Sequence, residues 1–203
     1  MELSDFTGIA IAVSAIVGLG FALASQKKGG PKKVMKLHDL LLTIGLDAFI
    51  LEEGGEQYNG LKGSWGEKPV GAITLSGKNI ESINVIGVAT QQGANYYLDY
   101  LVKSPLTLGM ETSEKTKMSK RKSSPLWGKT VSIDWKGNDS LAQGLNFDSY
   151  LNDLLLQADH KGAIQIFPEP ESEYARIRTQ YALPSPDMFE ALEIIVGHVK
   201  SWS

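Results

Sequence analysis

The hydrophobic positions of this chain fall into three regimes: one unbroken apolar run, a long series alternating with period two, and three stretches with helical spacing. The unbroken run is Phe6 to Ser25, twenty residues without a charge. At helical rise it is long enough to cross a hydrocarbon core of about 30 Å. Ahead of it MELSDF carries Glu2 and Asp5 and no Lys or Arg. Behind it come Lys27, Lys28, Lys32, Lys33 and Lys36. The positive-inside rule then predicts an N-terminus outside and the following chain in the cytoplasm. Ala22-Leu23-Ala24 fits the A-x-A pattern of a cleavage site, but the acidic leading segment lacks the positive n-region of a secretory signal. The expectation is an uncleaved single-pass anchor in the cell membrane. Ala10, Ser14, Gly18 and Ala22 recur every four residues and form one stripe of small side chains. Such a stripe lets a second membrane helix approach closely, from another copy or another membrane protein. A span this rich in Ala and Gly also yields the spacing by chance.

After the run, QKKGGPKK reads as a flexible basic linker, because Gly29-Gly30-Pro31 disfavour a helix. Leu37, Leu40, Leu41 and Ile44 predict a short helix closed by Gly45, with His38 and Asp39 facing water. Period two then takes over. Ala48–Leu51 is a short apolar run. Segments 58–65 and 69–76 read as a hairpin about Gly66-Glu67-Lys68. Ile83–Thr90 is apolar on both faces, as a covered central strand would be. Tyr96–Val102 alternates, although a helix over 94–103 competes. Residues 104–125 have no sustained apolar period and predict a long mobile loop. Thr130–Lys136 alternates again, with Val131, Ile133 and Trp135 inward. Phe147, Tyr150, Leu151, Leu154, Leu155 and Ala158 predict one helix with Asn146 as its N-cap. Ala163–Phe167 and Tyr174–Leu183 predict a second hairpin. The last helix opens with Ser185 as cap and Pro186 at its first position, and buries Phe189, Leu192, Ile195, Val196, Val199 and Trp202.

The predicted architecture is α+β: an anchor over 1–26, a basic linker over 27–36, and one domain over 37–203. In that domain, antiparallel hairpins carry about three helices on the sheet. Asp39-Leu40-Leu41-Leu42 and Asp153-Leu154-Leu155-Leu156 hint at a duplicated α-β-β unit. Four identities do not separate this from coincidence.

Composition changes the picture in two ways. There is no cysteine, which removes disulfides, thiolate metal sites and thiol nucleophiles. The net charge of −3 conceals a division. From residue 37 on, leaving aside 115–122, ten Lys and Arg face twenty-one Asp and Glu. The positive charge gathers in the linker and at Lys115, Lys117, Lys120, Arg121 and Lys122. Lysines beside a membrane anchor attract anionic headgroups, so Lys27, Lys28, Lys32 and Lys33 are expected to contact lipid while the acidic body stands off.

Chemistry-bearing patterns are few. His38, His160 and His198 have no zinc-ligand spacing, and no phosphate loop or nucleophile elbow occurs. No catalytic residue, cofactor or metal is assigned. Arg176 and Arg178 share a strand face with Tyr174 and Gln180. They form a candidate fork for a carboxylate or phosphate, or pair with Glu169, Glu171 or Glu173 across the hairpin. The basic segment 115–122 has no interleaved aromatics, and no extended basic face for nucleic acid follows from it. Asn138-Asp139-Ser140 matches a glycosylation sequon, without consequence in a cytoplasmic domain. The leading expectation is a membrane-anchored binding or assembly module. The alternatives are an enzyme or small-ligand binder without a recognisable motif, and a regulator whose basic loop touches anionic lipid or nucleic acid.

Overall fold

Gly30 meets the body of the domain where a linker was expected. In the computed structural model, which describes residues 29–51, 67–91, 93–104, 114–123, 130–158, 160, 162–169 and 174–201, a helix (α1) runs through 29–43. A Cβ on Gly30 would lie 1.9 Å from Val70 Cγ1, and one on Gly71 would lie 2.7 Å from Val34 Cγ2. The two missing side chains let α1 and the strand beneath it approach closely. Lys33 is drawn in as well. Its Nζ lies 4.8 Å and 4.4 Å from the ring centres of Tyr96 and Tyr181, and its carbonyl accepts the Tyr181 hydroxyl at 2.9 Å. The expected flexible linker is therefore, from residue 29 on, a packed helix.

The strands are β1 (Ala48–Leu51), β2 (Glu67–Leu75), β3 (Ile80–Thr90), β4 (Gly93–Lys103), β5 (Thr116–Lys122), β6 (Thr130–Lys136), β7 (Gln165–Glu169) and β8 (Tyr174–Gln180). Among the described residues three helices join α1: α2 (Asp139–Phe147), α3 (Ser149–Gln157) and α4 (Pro186–Ser201). The eight strands form one sheet in the order β1-β2-β3-β4-β8-β7-β5-β6. Every neighbouring pair is antiparallel. The class is α+β, as the pattern predicts, with one helix more than expected.

Alternation sorts the strand residues onto two faces. Ile73, Ile83, Val85, Leu98, Tyr100, Ile166, Ala175 and Ile177 join buried residues of all four helices in one core. Among them are Leu37 and Leu41 of α1, Leu145 of α2, Leu151 and Leu155 of α3, and Leu192, Ile195 and Val199 of α4. Ala72, Ile86 and Leu101 are buried too, but stand outside that core on the opposite face. Met188 N–H donates to Ser185 Oγ at 3.2 Å, so α4 starts where its capping residues predict.

Five further expectations are corrected. The loop over 104–125 contains β5, which pairs with β6 and with the start of β7. Met118, fully buried in the core, is its one apolar anchor, and the Lys and Ser around it hide the period. The single helix over 147–158 is two helices that break at Asp148, with φ −78° and ψ 90°. Phe147 and Tyr150 lie at that corner, 80% and 57% exposed, rather than on a buried stripe. Asn146 does not cap α3. Its side-chain amide accepts from Trp135 N–H and donates to Trp135 C=O, both at 2.9 Å, as a neighbouring strand would. Trp135 lies on the edge strand β6, which explains the demand for both functions of the amide. Asp148 caps α3 instead, accepting from Leu151 N–H at 2.9 Å. Glu67 and Lys68 begin β2 rather than forming a turn, and Val131 is exposed although Trp135 on the same strand is buried.

Phe6–Ser25, with Ala10, Ser14, Gly18 and Ala22, lies outside the described residues. So do Lys27 and Lys28, the expected strand over 58–65, and Trp202. Among the described residues no helix is long and apolar enough to cross a membrane. The two Asp-Leu-Leu-Leu segments fall in α1 and α3, each followed by an antiparallel strand pair.

Candidate functional site

Period two on β8 puts Arg176 and Arg178 on the sheet face opposite the helices. Antiparallel register then chooses their neighbours. Asp99 of β4 lies directly across from Arg178, and Phe167 of β7 directly across from Arg176. Arg178 Nε donates to Asp99 Oδ1 at 2.6 Å and Nη2 to Oδ2 at 2.7 Å, a bidentate pair. The same guanidinium grips Glu67 from the other side, Nη1 to Oε1 and Nη2 to Oε2, the latter at 3.0 Å. Arg176 Nη2 meets Glu169 Oε1 at 2.5 Å, while its Nη1 lies 3.5 Å from Asp99 Oδ2 and 3.7 Å from Glu67 Oε2. The Phe167 ring lies 4.8 Å from the Arg176 guanidinium and 5.7 Å from that of Arg178, with Tyr97 5.5 Å from the latter.

Glu67 is the surprising member. β2 and β8 are separated by β3 and β4, about 14 Å on a flat sheet. In register Glu67 also falls four residues from Arg178, about 13 Å along the strands. The diagonal, about 19 Å, exceeds what extended Glu and Arg side chains can span. The sheet must curl toward this face, bringing the start of β2 over β8. The cluster is thus a clasp across a concave face.

Electrostatically it holds three carboxylates against two guanidiniums. The side chains of Asp99, Glu67, Arg178 and Arg176 are 2%, 11%, 11% and 14% exposed. Burial by itself would lower the Arg178 pKa. The hydrogen bonds and charges of Asp99 and Glu67 outweigh it and hold the guanidinium above its ordinary value. The fork foreseen for an outside anion is therefore filled from within. Of the expected partners, Glu169 pairs with Arg176, and Glu171 and Glu173 lie outside the described residues. Arg176 Nε and Asn84 Oδ1, both buried on this face, have no hydrogen-bond partner among the described residues.

A second pairing joins the α2–α3 corner to α4. His198 Nε2 lies 2.8 Å from Asp148 Oδ2, so the ring proton sits on Nε2 and the carboxylate accepts. Burial would raise the Asp148 pKa. The His198 and Leu151 hydrogen bonds reverse that and hold it below its ordinary value.

The remaining candidates scatter. Lys32 is exposed on α1 and Lys33 is enclosed by its two tyrosines. The basic segment is divided by its strand: Lys117 and Arg121 take one face, while Lys120 takes the other and donates to the His160 carbonyl at 2.5 Å. Among the described residues no group of three His, Asp or Glu is placed to hold a metal. Sequence reasoning missed Glu67 and Asp99. The available signal was a charged residue within the apolar strand YYLDYLV. Comparison with protein-family models, curated proteins and solved structures returns no match.

Proposed function

We propose that this chain is a single-pass membrane protein whose α+β domain works on the cytoplasmic side as a binding or assembly module. The observation that carries the reading is α1. From residue 29 on it is part of the domain, and three residues of chain lie between that point and the apolar run that ends at Ser25. A domain joined so tightly to a membrane segment is held in place at the bilayer rather than swinging on a tether. The acidic front and basic back of the run support a cytoplasmic domain, and the stripe Ala10, Ser14, Gly18, Ala22 supports contact with another membrane helix. The test uses the full chain with a tag at each end. It should resist alkaline extraction, and an impermeant reagent on intact cells should reach the N-terminal tag alone. Release at alkaline pH sinks the anchor; labelling of the C-terminal tag sinks the orientation. Monomeric protein without a copurifying partner, in mild detergent, sinks the assembly role.

A small-ligand site is the second reading, favoured by the buried Arg176 Nε and Asn84 Oδ1 on the concave face, which lack partners among the described residues. Native mass spectrometry of the full chain tests it. A bound mass that Arg176→Met removes supports it, and a bare chain counts against it.

A further inference from the structure

We propose that the outward face of α1 is a second membrane contact, which lays the domain down on the anionic bilayer surface in one orientation. This rests on the anchor reading above. α1 buries Gly30, Val34, Leu37 and Leu41 against the sheet. Its opposite side presents Lys32, Met35, Lys36, Asp39 and Leu42, all exposed. Met35 and Leu42 are 51% and 49% exposed and stand one heptad apart, so they share a side of the helix. Large apolar side chains flanked by lysines are what an interfacial helix offers to headgroups and upper acyl chains.

The chain decides the occupant. From Ser25 to residue 29 is four residue steps, at most about 14 Å of chain. Residue 29 therefore cannot stand farther than that from the bilayer that Phe6–Ser25 would span. Lys27 and Lys28 lie within that stretch, and Lys32 and Lys36 continue the positive charge along the helix. Asp39 is the one acid in α1. Charge and apolar area both match an anionic lipid surface, and the connection places that surface within reach.

The absence of cysteine makes the test direct. Single substitutions Met35→Cys, Leu42→Cys and Val131→Cys in the full chain are labelled with an environment-sensitive dye. Val131 is the reference, exposed on the far edge strand. The proteins are reconstituted in phosphatidylcholine–phosphatidylserine vesicles carrying brominated lipid. Labels at 35 and 42 should be quenched at least about twofold more than the label at 131, as expected for residues at the headgroup–acyl boundary. Removing phosphatidylserine should reduce that quenching. A chain that floats with the vesicles but is quenched equally at all three sites overturns this proposal alone. So does an emission shift at 35 and 42 that follows protein concentration and not lipid, which would mark a contact between copies. A chain that does not float overturns the anchor reading with it.

Discussion

Arg178 holds apart two carboxylates that would otherwise face each other out of water. Asp99 and Glu67 are nearly inaccessible and engage all the donors of that guanidinium but one. Replacing Arg178 with Met leaves the two buried carboxylates only the longer Arg176 Nη1 contacts, at 3.5 Å to Asp99 and 3.7 Å to Glu67, and removing one partner of a buried pair typically costs about 3–5 kcal/mol. Urea unfolding followed by tryptophan fluorescence should show it, and Asp99→Asn together with Glu67→Gln should recover part of the loss. Asp148 gives a prediction in pH. Its folded-state pKa is lowered, so the stability it adds is present above the ordinary carboxylate pKa of about 4 and is lost as pH falls through the folded value. Asp148→Asn should therefore be less stable than the parent at neutral pH, and the gap should close in acid. A gap that persists unchanged at pH 2 would assign the loss to the cap geometry alone.

At the scale of elements, two glycines in helices carry opposite expectations. A Cβ placed on Gly197 of α4 would meet nothing within 4 Å. Gly197→Ala should raise stability by roughly 0.5–1 kcal/mol through helix propensity. Gly30→Ala gains the same propensity but drives its methyl into Val70. Overpacking of this kind costs about 1–3 kcal/mol, so the net change should be a loss. Thermal unfolding of the two variants side by side reads both signs. Equal stabilisation would mean that α1 is not seated on β2. The edge strand β6 shows a related economy, since one Asn side chain on α2 supplies both hydrogen bonds that a ninth strand would have made at Trp135.

For the whole molecule, the sheet order sets where stability is concentrated. β3 and β4 are central and their helix-side residues Ile83, Val85, Leu98 and Tyr100 are fully enclosed. β1 is a four-residue edge with Phe49 and Ile50 exposed. Amide hydrogen exchange should find β3 and β4 opening only with global unfolding, and β1 opening well before it. Uniform protection across the sheet would show that the clasp at Glu67 ties the β1–β2 side to the rest more firmly than its edge position implies.

The apolar run Ile83–Thr90, the period-two runs Tyr96–Val102 and Thr130–Lys136, and the caps at Ser185 and Pro186, were legible because each is a local property of consecutive side chains. So was the class, since hairpins in series with amphipathic helices have few ways to bury their apolar faces. Local pattern misled where a neighbour supplies the missing term. Gly30 reads as a helix breaker until Val70 is beneath it. Met118 is too solitary to announce a strand until β6 and β7 flank it. Of the charged cluster, the chain by itself showed that Arg176 and Arg178 share a face and could reach Glu169. That Asp99 and Glu67 close on Arg178 depended on strand order and on the curl of the sheet. Register, order and curvature are set by the packing of the whole, and they decide which charges meet.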